Sequence, residues 1–159
     1  MRTGSPNRND VMQALFDKVS GAQLRAGGNA FVTSTRGWQD IQQVPEAERP
    51  ALFMLEDDQD AIRPRAGMPP RRLLMRVTLL IYAWSAGQTV EGGVPASVIQ
   101  PILDAVDDVL NPGPPPLGIQ QQTLGGLAYD AFISGRIICV PGYRDGQALA
   151  AIPVQVLVP

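Results

Sequence analysis

The chain of 159 residues contains no histidine and a single cysteine. Without an imidazole it lacks the commonest general base, the commonest metal ligand and every Ser–His or Cys–His pair, which sets aside most hydrolase mechanisms. With Cys139 as the only thiol no internal disulfide can form, and a reducing compartment fits. Lysine is almost missing as well: of 13 basic residues only Lys18 is a lysine, so the positive charge sits on guanidinium groups, whose planar forked contacts suit protein interfaces. Charge is sparse at 18%, and the formal net charge of -2 with a pI near 5.0 disfavours free-standing DNA binding, which needs clustered cations on one face. No apolar run approaches the length of a bilayer span, and Met1 to Asp10 lacks the apolar stretch of a signal peptide, so a soluble protein with no membrane partner is expected. Neither a phosphate-cradling glycine motif nor a repeat at solenoid spacing occurs, and no cofactor is expected.

What is present is 45% hydrophobic residues, 16 glycines and 15 prolines, a balance that predicts one globular domain over 1–159 with prominent loops and strand ends. Residues 1–6 read as a flexible N-terminus. Ser5 and Pro6 look like a helix cap and first turn, and Val11, Met12, Leu15, Phe16 and Val19 recur at helical spacing, which predicts a helix from Asn7 to Val19. A short β-type run, Ala30 to Thr35, precedes a polar link with Trp38, Pro45 and Pro50, then the strand Ala51 to Leu55. Residues 58–72 are rich in proline and arginine and read as an exposed arm. Leu73 to Ala86 alternates as a long strand, with Met75, Val77, Leu79 and Ile81 toward a core; at ~3.3 Å per residue it is long enough for one end to project. Val98 to Leu110 repeats as a second amphipathic helix with Asp104, Asp107 and Asp108 outside; Pro101 must lie in its first turn or mark a kink. A proline-rich loop, 111–122, ends it. The remainder predicts an antiparallel pair, Leu127 to Val140 and Leu149 to Val158, with Gly135 marking a bulge or close backbone approach and Pro153 an edge or a bulge.

Four features carry chemistry worth weighing. Glu56, Asp57, Asp58 and Asp60 offer carboxylates, but their spacing matches no calcium loop and neighbouring strand residues point to opposite faces, so a solvated strand end or a charged contact is expected rather than a metal site. Cys139 lies between apolar residues and is expected in the core, unreactive. Trp38, Tyr82 and Trp84 are expected to pack against a core or a neighbouring subunit. Arg63, Arg65, Arg71 and Arg72 form the one local positive concentration; they could meet nucleic acid, form a solvated loop, or, slightly preferred, pair with Asp104, Asp107 and Asp108 on an adjacent copy of the chain. Trp84 joins this set as a candidate interface residue. No catalytic residues are expected, and the chain reads as something other than an enzyme.

An amphipathic N-terminal helix, Glu48 to Leu55, the long strand from Arg72, the helix Ile102 to Leu110, the step Leu124-Gly125-Gly126, Ile133 to Arg136, and the closing run Ala151 to Pro159 follow one another in an order that resembles the tail terminator (minor tail protein U-like, tail completion) proteins of long-tailed bacteriophages. The stretch Pro50 to Phe53 and the closing apolar strand are the most family-like pieces. The resemblance implies an α+β domain: a mostly antiparallel twisted sheet flanked by two main helices, with a projecting hairpin or arm. It also implies a virion protein without catalytic activity, assembled in the host cytoplasm as a homo-oligomeric ring of six. Such a ring sits on the last ring of the tail tube protein and meets the head-tail connector or stopper protein, with DNA passing through its lumen without sequence-specific binding. Related neck proteins, a head-completion stopper or a head-tail joining adaptor, share size and build and stand as the alternative, followed by a small non-viral protein-binding adaptor.

Overall fold

The computed structural model describes residues 6–62, 72–84, 96–113, 121–140 and 147–159, with the backbone alone at Trp84, Ala96 and Ser97. The first helix, α1 (Arg8–Ser20), starts one residue later than expected because Asn7, not Ser5, caps it: the Asn7 side chain accepts a hydrogen bond from the Asn9 amide. Val11, Met12, Leu15 and Val19 are its buried face, as their spacing predicts. The second helix, α2 (Ala96–Leu110), buries Ile99, Ile102, Ala105, Val106 and Leu110. Pro101 falls inside it, past the first turn, where its missing N–H removes a backbone bond, and the helix continues through this position.

The strands are β1 (Thr33–Arg36), β2 (Ala51–Ile62), β3 (Arg72–Trp84), β4 (Asp130–Ile133), β5 (Ile138–Val140) and β6 (Gln147–Val158). They form one six-stranded sheet in the order β1-β2-β3-β6-β4, with β5 also on β6. Only β1 and β2 are parallel; every other pair is antiparallel, so the α+β class with a mostly antiparallel sheet and two helices holds.

Three expectations change. First, β2 does not stop at Leu55: its acidic continuation to Ile62 pairs with Arg72 to Val77 across a register shift between Glu56 and Gln59. The acidic cluster is thus the solvated strand end expected of it, while the proline- and arginine-based reading of an arm from residue 58 starts too early, because ladder pairing with the apolar β3 overrides the weak strand propensity of Asp and Glu. Residues 58–62 and Arg72 of the expected arm are therefore strand, while Arg63, Arg65 and Arg71 lie outside the described residues. Second, β3 has the expected length but does not outrun its neighbour, because β6 pairs with it residue for residue from Leu73 to Trp84.

Third, the expected strand Leu127 to Val140 is two strands interrupted at residues 134–137. Ile133 pairs with Val154 and Ile138 with Ala151, so four residues on one side stand against two on the other. Gly135 has φ +111° there, and a Cβ would lie 3.4 Å from the Pro153 ring. Ser134 donates its amide to the Pro153 carbonyl at 2.9 Å. Since a strand residue's N and C=O point to the same neighbour, the missing N–H of Pro153 faces this bulge and no ladder bond is lost. The proline thus sits in an interior strand, β6, rather than at an edge.

One continuous core joins both helices to the same side of the sheet, where Leu52 and Met54, alternate β3 residues from Met75 to Ala83, and alternate β6 residues from Ala148 to Val158 meet α1 and α2. Arg36 ties that side together: its guanidinium donates to Glu56 at 2.6 Å and to the side-chain oxygens of Asn9 (2.8 Å) and Gln13 (3.3 Å) on α1.

Candidate functional site: an uncovered sheet face

Both helices lie on one side, so among the described residues the other side of the sheet has no layer of its own. At one end it is closed by the link between β1 and β2. There Val44, Ala51, Phe53 and Tyr82 are buried, with Ile41, Leu80 and Leu149 against them. Arg49 lies over the Tyr82 ring at 4.4 Å while its guanidinium donates to the Val44 carbonyl. This accounts for Tyr82: an aromatic packed under a cation within the chain.

Beyond that cap the face carries half-buried Leu74, Arg76 and Thr78 from β3, Ala151, Pro153, Gln155 and Leu157 from β6, and Phe132 from β4. It ends on β5, where Ile138 is 60% and Val140 50% exposed. A solvated antiparallel face is ordinarily polar at these alternate positions. Here Arg76, Thr78 and Gln155 are polar, joined toward the rims by Asp57, Asp60, Arg72 and Gln147, but Leu74, Phe132, Ala151, Pro153 and Leu157 between them are apolar, so the centre of the face has the character of a surface that meets another protein.

The two rims of the sheet differ in charge. Along β2, Glu56 faces the helices and Arg36, whereas Asp57 accepts from the Thr78 hydroxyl at 2.7 Å and Asp60 from Arg76 on the open face. The carboxylates thus diverge. Among the described residues no group of three or more His, Cys, Asp or Glu side chains is placed to hold a metal ion. The β5 rim is apolar, with Ile137, Ile138 and Val140 exposed and Arg136 beside them.

Of the residues singled out in the sequence, the described ones do not converge. Arg72, at the start of β3, lies 5.2 Å from the Tyr129 ring. Asp104 and Asp108 on α2 hold Arg25 of the same chain, at 3.3 and 2.8 Å, and Asp107 is exposed on that helix. The Arg25 pair predicts a measurable titration. Its hydrogen bond draws the Asp108 carboxyl below the usual carboxylate range, so any stability from this pair is present above the unfolded value near ~3.9 and is lost as pH falls through the folded one. Carbon-detected NMR titration should find Asp108 depressed in the native protein and restored to its ordinary value in Arg25→Ala.

Trp84 is placed by its backbone opposite Gln147, and Trp38 is 69% exposed, so it does not pack into the core of its own chain. Cys139 is half-buried against the helix-side core, and burial raises its thiol pKa. That orientation is the signal for what the sequence reading missed. If Cys139 faces inward, strand alternation turns Ile138 and Val140 outward.

Among the described residues no helix is long and apolar enough to cross a membrane. Compared with known proteins, the chain matches no family model and none of the curated sequences.

Proposed function

We propose that this chain is a structural subunit of a virus particle, a tail terminator whose copies close into a ring, six in the family it resembles. The ring caps the tail tube and joins it to the head connector. The observation that supports this reading is the uncovered apolar sheet face running out to Ile138 and Val140. A face of this kind is stabilised by removal from water, and a second copy of the chain is the partner always present at matching concentration. The work is done by shape and surface: no bond is made or broken, and DNA crosses the lumen without sequence-specific contacts. With a net charge of -2 the subunit has no excess cation to hold the duplex.

The test has two parts. Light scattering on the purified full chain at rising concentration should give a mass several times that of the 17.1 kDa monomer. Gold-labelled antibody on purified particles should mark the junction of head and tail. A chain that stays monomeric and is missing from particles ends the proposal, while label on the head side of the connector favours a head-completion stopper.

A further inference from the structure

The sheet has two unlike free edges, and they are complementary. β1 pairs only with Ala51 to Met54, so along Leu55 to Ile62 the outer edge of β2 has no strand beside it among the described residues. On the opposite rim β4 is already occupied, since Ala131 donates its amide to the Gln122 carbonyl at 2.9 Å. Among the described residues β5 is not: it pairs only with β6 and exposes Ile138 and Val140. Unpaired backbone at a sheet edge is a template for another strand. The β2 edge carries Glu56, Asp57, Asp58 and Asp60 against the two arginines that reach it, Arg36 and Arg76. Such an edge repels its own copy. The β5 edge carries Arg136 and apolar side chains, so an unlike pairing is favoured over a like one.

From these features we infer that the ring contact is head to tail, with the β5 edge of one copy, Arg136 to Val140, laid antiparallel along the β2 edge of the next, centred on Asp58. The inference rests on the assembly reading above and names its surface. The chain directions agree: β2 and β6 run the same way, and β5 runs against β6, hence against β2. The levels of the two edges bear on closure. Cys139 pairs with Ala150, Ala150 with Ile81 and Ile81 with Leu52, whereas Asp58 lies six residues further along β2, five ladder positions once the bulge between Glu56 and Gln59 is taken into account. At ~3.3 Å per position that is a step of about 17 Å, taken over the four strands β2, β3, β6 and β5, about 19 Å across at ~4.8 Å spacing. The resulting slope of about 40° falls within the ~35–45° tilt with which sheets close on themselves. A heterologous contact with that stagger has the size a closed ring needs, and closure leaves no free edge for further growth.

Charge reversal on the full chain tests this, with folding of each variant checked by circular dichroism. Arg136→Glu and Asp58→Arg, both at exposed positions, should each raise the concentration for half-assembly on the order of tenfold. The double variant should recover most of the loss. Ile138→Asp should assemble least. Mixed in equal amounts with Asp58→Arg it should give dimers, because one intact β5 edge and one intact β2 edge remain between them. Wild type that assembles while both single reversals leave it unchanged, a double variant that recovers nothing, or a mixture that stays monomeric overturns this contact and leaves the assembly reading standing. A monomeric wild type removes the assembly reading and this contact with it.

Discussion

Truncating Ile152 to alanine should lower the unfolding free energy of the dilute monomer by about 2–5 kcal/mol. Ile152 lies in β6, paired with Leu79 of β3 and opposite the interruption between β4 and β5, is fully buried, and belongs to the core that joins the sheet to both helices. The loss combines the transfer energy of the removed carbons with a cavity that the continuous β3–β6 ladder and the packed helices cannot close. Leu157→Ala is the matched control. Leu157 is on the same strand but on the uncovered face, half-buried, and its truncation should cost under about 1 kcal/mol. Denaturant unfolding of both variants measures the difference directly. Equal costs would mean that the second face is as well covered as the first, and the docking argument would lose its footing.

The second large effect falls on Gln122, the buried polar residue among those described. Its amide nitrogen donates to the Val109 carbonyl at 2.6 Å near the end of α2, and its amide oxygen accepts from the Leu124 amide at 3.2 Å. Leu124, Gly125 and Gly126 follow with φ values of 52°, 72° and 89°. A left-handed conformation is strained for leucine, and the Gln122 bond helps to hold it while Leu124 stays buried. Gln122→Leu keeps the volume but strands a donor and an acceptor in a dry site, and should cost about 2–4 kcal/mol. Faster hydrogen exchange at the Leu124 amide should accompany the lower stability. A change within ~0.5 kcal/mol would show that water replaces both bonds and that Gln122 is no anchor.

Much of the fold was legible in the chain because it depends on short-range repetition. Helical spacing marked the buried faces of α1 and α2, and period-two alternation marked Met75 to Ala83 as the inner side of β3. Gly135 and Pro153 announced a bulge before its location could be known. The acidic run after Leu55 was legible as a solvated strand end, but where the strand gives way to the arm was not, because an exposed sheet edge and an exposed loop have the same surface composition. The apolar run around Cys139 misled in the opposite sense. Its composition describes a core, and only the inward turn of Cys139 puts Ile138 and Val140 into water.

The residues themselves determined the class of elements, the sides they bury and the absence of imidazole chemistry, since each follows from side-chain type and local period. Local turn signals gave one neighbour, the antiparallel pairing of the segment holding β4 and β5 with β6. Tertiary structure alone decided the other neighbours, which edges stay free among the described residues and which face the helices cover. Those outcomes depend on pairing between segments far apart in the chain: β1 beside β2, and β6 beside β3. No local pattern encodes a distant neighbour; the choice is made by the packing of one shared core.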